Sequence, residues 1–261
     1  MKMKKHYLLT CLMVMLFALN ATGFAQEDNR YYYELIRYEV LNNSKMGRLE
    51  EYWETAAIPA FNRLGIEPIG VFKPQYGPHS LDLYVLIPHK NLESFITSWD
   101  KIAEDPVYQK DGADFIETEL SSPLYFRYDT SLMRAFSYMP KLEIPVQIQG
   151  KPSRIFELRI YESHSRQRAK LKIEMFNEGG EIALFHEMGL QPIFFAETLA
   201  GNNMPHLVYM LGFENMEERD RNWQNFSSSE GWQIMRANPR YADTVSAIID
   251  IILTPASCSQ M

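Results

Sequence analysis

The chain has 261 residues, of which 33 are acidic and 26 basic, so its formal net charge is −7. An acidic chain is unsuited to nucleic acid or to an anionic membrane surface, because both attract basic proteins. Hydrophobic residues make up 46% of the chain, and a chain of this length can bury a sizeable core without disulfides.

The first 25 residues have the pattern of a secretory signal peptide. Three lysines precede an uncharged apolar run of about fifteen residues, and small residues follow at Gly23 and Ala25. The run is shorter than the roughly 20 apolar residues of a membrane-spanning helix. We therefore expect cleavage after Ala25, export to the periplasm or the extracellular space, and no transmembrane segment in the mature chain.

Strand-like and helix-like patterns alternate through the first part of the mature chain. Met46, Leu49 and Trp53 recur at helical spacing, and Gly65 follows where a helix end accepts a positive φ. Asn91 precedes a second helical stretch and has the chemistry of an N-cap. The predicted elements are a strand near 30–40, a helix over 44–64, a hairpin of strands 67–73 and 81–87, a helix near 90–104 and a strand near 122–129.

The same series is predicted again after a linker over residues 139–154. Its elements lie near 154–162, 165–188, 191–196, 206–213, 214–227 and 246–253. Adding 124 to a position in the first series reaches a matching residue in the second, which indicates a tandem duplication. The matches include Glu54 and Glu178, Gly65 and Gly189, Asn91 and Asn215, Trp99 and Trp223, and Thr130 and Thr254.

The order β-α-β-β-α-β predicts a ferredoxin-like unit, present twice. We place the first domain at residues 26–138 and the second at residues 155–261. Each four-stranded sheet has one face under its helices and one face that needs cover. We therefore expect an α+β protein in which the two sheets cover each other.

Several segments resemble the NIPSNAP family. They are "IFELRIYES" at 155–163, the turn at 189–193, "LVYMLGFENMEERDRNW" at 207–223 and "ILTP" at 252–255. The first copy matches more loosely, through "RLGIEPIGVF" and "LYVLIPHKNLESFITSW". The resemblance implies the dimeric α+β barrel superfamily, here closed within one chain. Relatives by fold include cofactor-free monooxygenases, haem peroxidases and binding proteins, so the resemblance implies no particular reaction.

The first strand of each copy alternates between an apolar and a polar row of side chains. The apolar row comprises Tyr33 and Leu35 in the first copy and Phe156, Leu158 and Ile160 in the second. The polar row comprises Glu34 and Tyr38 in the first copy and Glu157, Arg159 and Tyr161 in the second. We expect the apolar row to lie under the helices and the polar row to form a ligand-binding pocket between the sheets.

The polar row has two interpretations. In the catalytic one, Glu157 or Glu34 is a general base whose pKa is raised by burial, Arg159 holds an anion and Tyr161 orients a substrate. In the structural one, Arg159 neutralises Glu157, and the row fixes how the two halves dock. Matching residues in both copies suit the structural interpretation as well as the catalytic one.

The histidines show no metal-binding spacing, so we predict no metal site. His186 lies on the long helix of the second copy, where a haem-binding relative would carry its ligand. We disfavour that role, because histidines near helix ends are ordinarily solvated, and we predict no cofactor. His79 and His206 fall in or beside hairpin turns, where a solvated ring is also expected.

Three functional hypotheses follow from the sequence. The preferred one is an exported protein that binds a small apolar or aromatic ligand between its two sheets. The first alternative is a cofactor-free, monooxygenase-like oxidoreductase or an isomerase that uses Glu157, Arg159 and Tyr161. The second is a non-catalytic interaction module with a filled barrel. A homo-oligomer is compatible with all three, and the sequence leaves open whether the protein is an enzyme.

Overall fold

The computed structural model of the protein describes residues 29–77 and 79–261. The predicted signal peptide, residues 1–25, lies outside the described residues. Within those ranges no helix has both the length and the apolar character needed to cross a bilayer.

The first half follows the predicted order of elements. A π-helical turn at Trp53–Ala57 joins its first two helices into one long run, and two short helices, α4 and α5, precede the last strand. The elements are β1 (Tyr32–Val40), α1 (Asn43–Tyr52), α2 (Ile58–Arg63), β2 (Gly70–Pro74), β3 (Asp82–His89), α3 (Leu92–Ala103), α4 (Pro106–Asp111), α5 (Ala113–Ile116) and β4 (Tyr125–Ala135).

The second half repeats this order with a break in its long helical run. The chain leaves the helix at Asn177 and re-enters it after Gly180, whose φ is +86°. The elements are β5 (Ile155–Glu162), α6 (Arg166–Phe176), α7 (Glu181–Glu187), β6 (Gln191–Ala200), β7 (His206–Phe213), α8 (Met216–Ser228), α9 (Glu230–Arg236), a 3₁₀ turn (Pro239–Tyr241) and β8 (Ala247–Pro255).

Predicted helix signals are confirmed at both ends of the helices. The Asn91 side chain accepts the Ser94 N–H at the start of α3, and the Asn215 side chain accepts the Glu218 N–H at the start of α8. Gly65 has φ +70° and Gly189 has φ +83°, the left-handed conformation that glycine adopts without steric cost.

The eight strands close into one barrel in the order β1-β3-β2-β8-β5-β7-β6-β4, and β4 pairs back onto β1. The predicted closure of both halves into an α+β barrel within one chain is confirmed at this level. Two antiparallel seams join the halves, β2 with β8 and β4 with β6. Each seam uses backbone hydrogen bonds, so the barrel has no free strand edge.

The prediction of which strand row lies under the helices is wrong. Tyr33, Leu35, Phe156 and Leu158 point into the barrel, where they join one apolar core. The polar rows face the helices instead. Alternation separates two rows but does not say which layer covers each one. Water is excluded from the inside of a closed barrel, so the apolar row lies there. The layer between sheet and helices reaches solvent at its edges, where charged side chains can be hydrated or paired.

The linker closes one end of the barrel. Ile148 is buried there, and the Tyr31 N–H donates to the carbonyl of Pro140. A Cβ at Gly212 would lie 2.4 Å from Cδ1 of Ile148, so glycine allows the close approach of the linker. Met261, at the end of the chain, is buried in the same core. The opposite end, where β1 and β5 finish, has no such cover within the described residues.

The repeat changes register before the last strand. Ile36 pairs with Thr130, whereas Arg159, the counterpart of Ile36, pairs with Asp250. The structural equivalent of Thr130 is therefore Asp250, and the match of Thr130 with Thr254 is wrong. The connection from the second long helix to the last strand is shorter in the second half, which displaces the strand along the sequence.

Candidate functional site

Glu157 is the centre of a charged cluster between the second-half sheet and helix α8. Its side chain is fully buried. Arg159 Nη1 donates to its Oε1 at 2.6 Å, Arg219 Nη2 donates to the same oxygen at 2.7 Å, and Trp223 Nε1 donates to Oε2 at 2.6 Å. Both arginines also donate to Asp250, at 2.9 and 3.1 Å. Two guanidinium groups thus share two carboxylates.

The pKa values of the two carboxyl groups in this cluster are shifted in opposite directions. Burial alone would raise the pKa of Glu157, but the Arg219 hydrogen bond, the Arg159 charge and the Trp223 hydrogen bond hold it below its ordinary value. The predicted raised pKa of Glu157 is therefore wrong, and a carboxylate of low pKa is a weak general base. Burial, followed by the charge of Glu157, raises the pKa of Asp250 to about 6.

Glu34 is the centre of the corresponding cluster in the first half, which contains no arginine among its hydrogen-bond donors. Trp99 Nε1 donates to the two Glu34 oxygens at 3.2 and 3.1 Å, and Thr130 Oγ1 donates at 3.1 Å. His89 Nε2 lies 3.6 Å from Oε2. Ile36 stands at the position of Arg159, so the repeat preserves the contact between tryptophan and glutamate but not the arginines.

The two predicted tyrosines lie in different aromatic clusters. Tyr38 packs against Trp53 and Tyr125 under the helices of the first half. Tyr161 accepts a hydrogen bond from the Tyr209 hydroxyl at 2.9 Å, and the Arg159 guanidinium lies 5.6 Å from its ring centre.

The five predicted site residues therefore form two groups. The structure brings Glu157, Arg159 and Tyr161 together in the second half and places Glu34 and Tyr38 in the first. The predicted common pocket of these five residues between the sheets is wrong.

Sequence reasoning missed Arg219 and Asp250. Arg219 lies four residues before Trp223, and this spacing puts both side chains on one face of α8. The repeated tryptophan was therefore an available signal for Arg219. Asp250 carries no comparable signal, because its place opposite Arg159 depends on the register of β8.

A cleft of about 280 Å³ lies at the uncovered end of the barrel, between the two halves. Leu35 and Tyr84 contribute to its wall from the first half, and Ile160 and Ile251 contribute from the second. These side chains point inward from the strands and form the boundary between the packed core and the cleft. The space between the sheets is thus filled over most of its length and open at one end.

Charged and polar groups surround the mouth of this cleft. They include Arg37 and Asp129 from the first half, and Glu162 and His206 from the second. The expectation of a solvated ring at His206 is wrong, because only 7% of the residue is exposed. Its Nδ1 lies 3.1 Å from the carbonyl oxygen of Asn203, and burial lowers the pKa of the imidazole.

Across residues 29–77 and 79–261 there is no group of three or more histidine, cysteine, aspartate or glutamate side chains placed to hold a metal ion. His186 is exposed near the end of α7. His79 is largely exposed and lies 3.3 Å from Asp82.

Among the other depressions, the two largest on the first half lie on its outer surface. One, of about 350 Å³, is lined by residues near Gly65 and Asn91, and the other, of about 590 Å³, by residues 115–127. Each involves one half only and lies outside the barrel. The end cleft differs from both, because both halves build it from inward-facing strand residues.

Solved structures share this fold. A candidate monooxygenase from Lactobacillus acidophilus NCFM is 11% identical, with 87% of this chain and 94% of that chain covered and a TM-score of 0.57. A candidate monooxygenase from Fusobacterium nucleatum subsp. nucleatum is 8% identical, with 87% and 92% covered and a TM-score of 0.56. At these identities the likeness concerns the fold alone.

The family is decided by a family model and not by the likeness to solved structures. A NIPSNAP-like domain protein from Burkholderia xenovorans is 25% identical over 41% of this chain and 88% of that chain, with a TM-score of 0.36. No curated protein matches the chain. The NIPSNAP family model matches residues 33–124 and again residues 156–260, one segment in each half. The chain belongs to the NIPSNAP family and carries two tandem copies of its domain.

Proposed function

We propose that the protein binds a small apolar or aromatic molecule in the cleft at the open end of its barrel. One observation carries this proposal: the inward side chains of both halves fill the barrel elsewhere but leave about 280 Å³ here. That volume is close to the lower end of the range of ligand pockets, about 300–1,000 Å³. The cleft lies between the two sheets, and its lining differs from the residues that the sequence suggested for a pocket there.

The walls of the cleft explain the choice of an apolar ligand. Leu35, Ile160 and Ile251 present hydrocarbon surface to the cleft. Covering such surface contributes about 25 cal/mol per Å², so a ring-sized molecule gains several kcal/mol before its entropy cost. Polar groups at the mouth would orient the molecule.

The proposal is tested by filling the cleft. Ile160→Trp places a large ring at the cleft wall, and Ile234→Trp makes the same change on the exposed side of α9, where 67% of the residue is exposed. Native mass spectrometry of protein purified from its host should show a retained small molecule in the wild type and in Ile234→Trp but not in Ile160→Trp. Retention of the same molecule by Ile160→Trp would exclude the cleft.

A second candidate function is catalysis at the Glu157 cluster by a cofactor-free oxidoreductase or isomerase. Asp250 favours it, because a carboxyl group with a pKa of about 6 and a side chain 34% exposed can exchange protons near neutral pH. Arg159 donates to Asp250 at 2.9 Å, and its guanidinium lies 5.6 Å from the centre of the Tyr161 ring. Two proteins with this fold are candidate monooxygenases. The assignment of Glu157, Arg159 and Tyr161 as catalytic residues stays a prediction.

Catalysis is tested by turnover of the molecule that the protein retains. Conversion under air and under nitrogen, followed by mass spectrometry, separates oxidation from isomerisation. Asp250→Asn should lower the rate at least a hundredfold. Asp220→Asn should not, although Asp220 also accepts a hydrogen bond from Arg219, because its side chain is 66% exposed. Equal rates in the two variants would exclude Asp250 as the proton-exchanging group.

Export and domain boundaries are further proposals. Export is supported by the sequence of residues 1–25, and a mature N-terminus at Gln26 in the envelope fraction would test it.

Residues 26–138 and 155–261 are proposed as two ferredoxin-like units joined by the linker 139–154. The strand order β4-β1-β3-β2 in the first half and β8-β5-β7-β6 in the second supports this division. An interaction module or a homo-oligomer stays a prediction, which light scattering of the purified protein addresses.

A further inference from the structure

The guanidinium group at the cleft mouth, that of Arg37, is already engaged. Arg37 Nη2 donates to Asp129 at 2.9 Å and to Glu39 at 2.8 Å, and its Nη1 lies 3.5 Å from Asp82 Oδ2. Three carboxylates therefore surround this guanidinium. A carboxylate or phosphate ligand would have to displace one of them to bind Arg37.

Two side chains at the cleft, Glu162 and His206, offer acceptors without a hydrogen-bond partner in the described chain. Glu162 points inward and has no side-chain hydrogen bond or ion pair with any residue of the described chain. His206 Nδ1 faces the carbonyl of Asn203, and since a carbonyl only accepts, the proton of the neutral ring resides on Nδ1. Its Nε2 is then an acceptor without a partner among the described residues. Burial lowers the pKa of His206, which keeps the ring neutral.

The charged groups at the cleft mouth are mostly negative, which also favours a ligand that donates hydrogen bonds. One guanidinium, Arg37, stands against the carboxylates of Asp82, Asp129 and Glu162. Asp82 is 6% exposed, and its Oδ2 has no hydrogen-bond donor within the described chain. The cleft therefore has apolar walls and a mouth with surplus negative charge and unpaired acceptors.

We infer that this cleft selects an organic ammonium ion, a small apolar or aromatic body that carries a protonated amine. The inference rests on the proposed ligand-binding function of the same cleft. The body would pack on Leu35, Ile160 and Ile251, and the amine would donate to Glu162 and His206. A site whose buried polar groups need a donor discriminates against an analogue that lacks one, because those groups would stay unpaired.

Three probes with similar apolar bodies test the inference: 2-phenylethylammonium, 2-phenylethanol and phenylacetate. Their dissociation constants are measured by NMR titration of the wild-type protein purified from its host. We expect the ammonium to bind at least tenfold more tightly than the alcohol, and phenylacetate to bind most weakly. Glu162→Gln should reduce the preference for the ammonium at least tenfold, and Glu117→Gln, at an exposed site away from the cleft, should keep it.

The outcomes separate the two proposals. Equal binding of the ammonium and the alcohol, or tightest binding of phenylacetate, overturns the ammonium class and leaves the ligand-binding function standing. Absence of binding by all three probes at millimolar concentration overturns both. The comparison among probes uses wild-type protein, so it remains decisive even if Glu162→Gln fails to fold.

Discussion

Buried glutamates at matched positions of the two halves are held by different partners. Both Glu34 and Glu157 accept an indole N–H from the repeated tryptophan. Only Glu157 is also bound by two arginines. The tryptophan contact therefore belongs to the repeated domain, whereas the charged cluster is a feature of the second half.

Neutralising the two glutamates should have unequal effects. Glu157→Gln keeps the volume but leaves Arg159 and Arg219 without their buried anion, and we expect a loss of about 3 kcal/mol of unfolding free energy. Glu34→Gln keeps an oxygen that accepts the Trp99 N–H, and we expect a loss of about 1 kcal/mol or less. Urea denaturation of both variants checks this. Equal losses would mean that the arginines find full compensation elsewhere.

Asp250 predicts a specific pH dependence of stability. In the folded protein its carboxyl keeps a proton up to about pH 6, whereas in the unfolded chain it releases the proton near pH 4. The folded state thus binds more protons between these values, so the contribution of Asp250 to stability falls as pH rises through this window. Asp250→Asn removes that contribution.

Melting curves from pH 4 to 7 test this dependence. The melting temperature of Asp250→Asn relative to wild type should increase from pH 4 to about pH 6 and then level off, while that of Asp220→Asn should stay constant. A constant difference for Asp250→Asn would show that its pKa is ordinary.

Part of this site was predictable from the sequence. Glu157 and Arg159 lie two residues apart on one strand face, and their predicted pairing is confirmed. Trp99 and Trp223, which match across the repeat in sequence, both pack against the cores of their halves. The cleft residues Glu162 and His206 were not predicted as site residues. For His206 the reason is its place at the start of a strand, in a sequence that resembles a turn.

At the scale of elements, the long periodic segments were predictable and the short ones were not. The strands and helices that match across the repeat are confirmed within a few residues, with two exceptions: β4 continues to Ala135, and the helix predicted over 165–188 is broken after Phe176. Helices α4, α5 and α9 span one or two turns each. Such short helices depend on local caps, such as Asp105 before α4, and on packing more than on periodicity.

Two glycines in the first half provide a matched test of backbone conformation. Gly65 ends a helix at φ +70°, and Gly47 lies inside α1; a Cβ at either position would meet nothing within 4 Å. Gly65→Ala should cost about 1 kcal/mol because alanine disfavours positive φ. Gly47→Ala should add about 0.5–1 kcal/mol because alanine is the better helix former. Chemical denaturation of the two variants measures the difference, and stabilisation by Gly65→Ala would contradict the assigned helix end.

At the scale of the molecule, duplication closes the barrel within one chain. The resemblance to NIPSNAP proteins implied this closure, and the seams between β2 and β8 and between β4 and β6 provide it. The sequence did not reveal that the linker fills one end of the barrel. That asymmetry depends on the contact of Ile148 with Gly212, two residues far apart in the chain, and it leaves the opposite end as the place for a ligand.

The most direct test of ligand binding at the open end is a crystal structure of the protein with 2-phenylethanol. This neutral probe does not depend on the preference for an ammonium ion. The account predicts electron density for the ring against Leu35, Ile160 and Ile251. Density under helix α8 beside Glu157, or in the outer groove near Gly65, would contradict it.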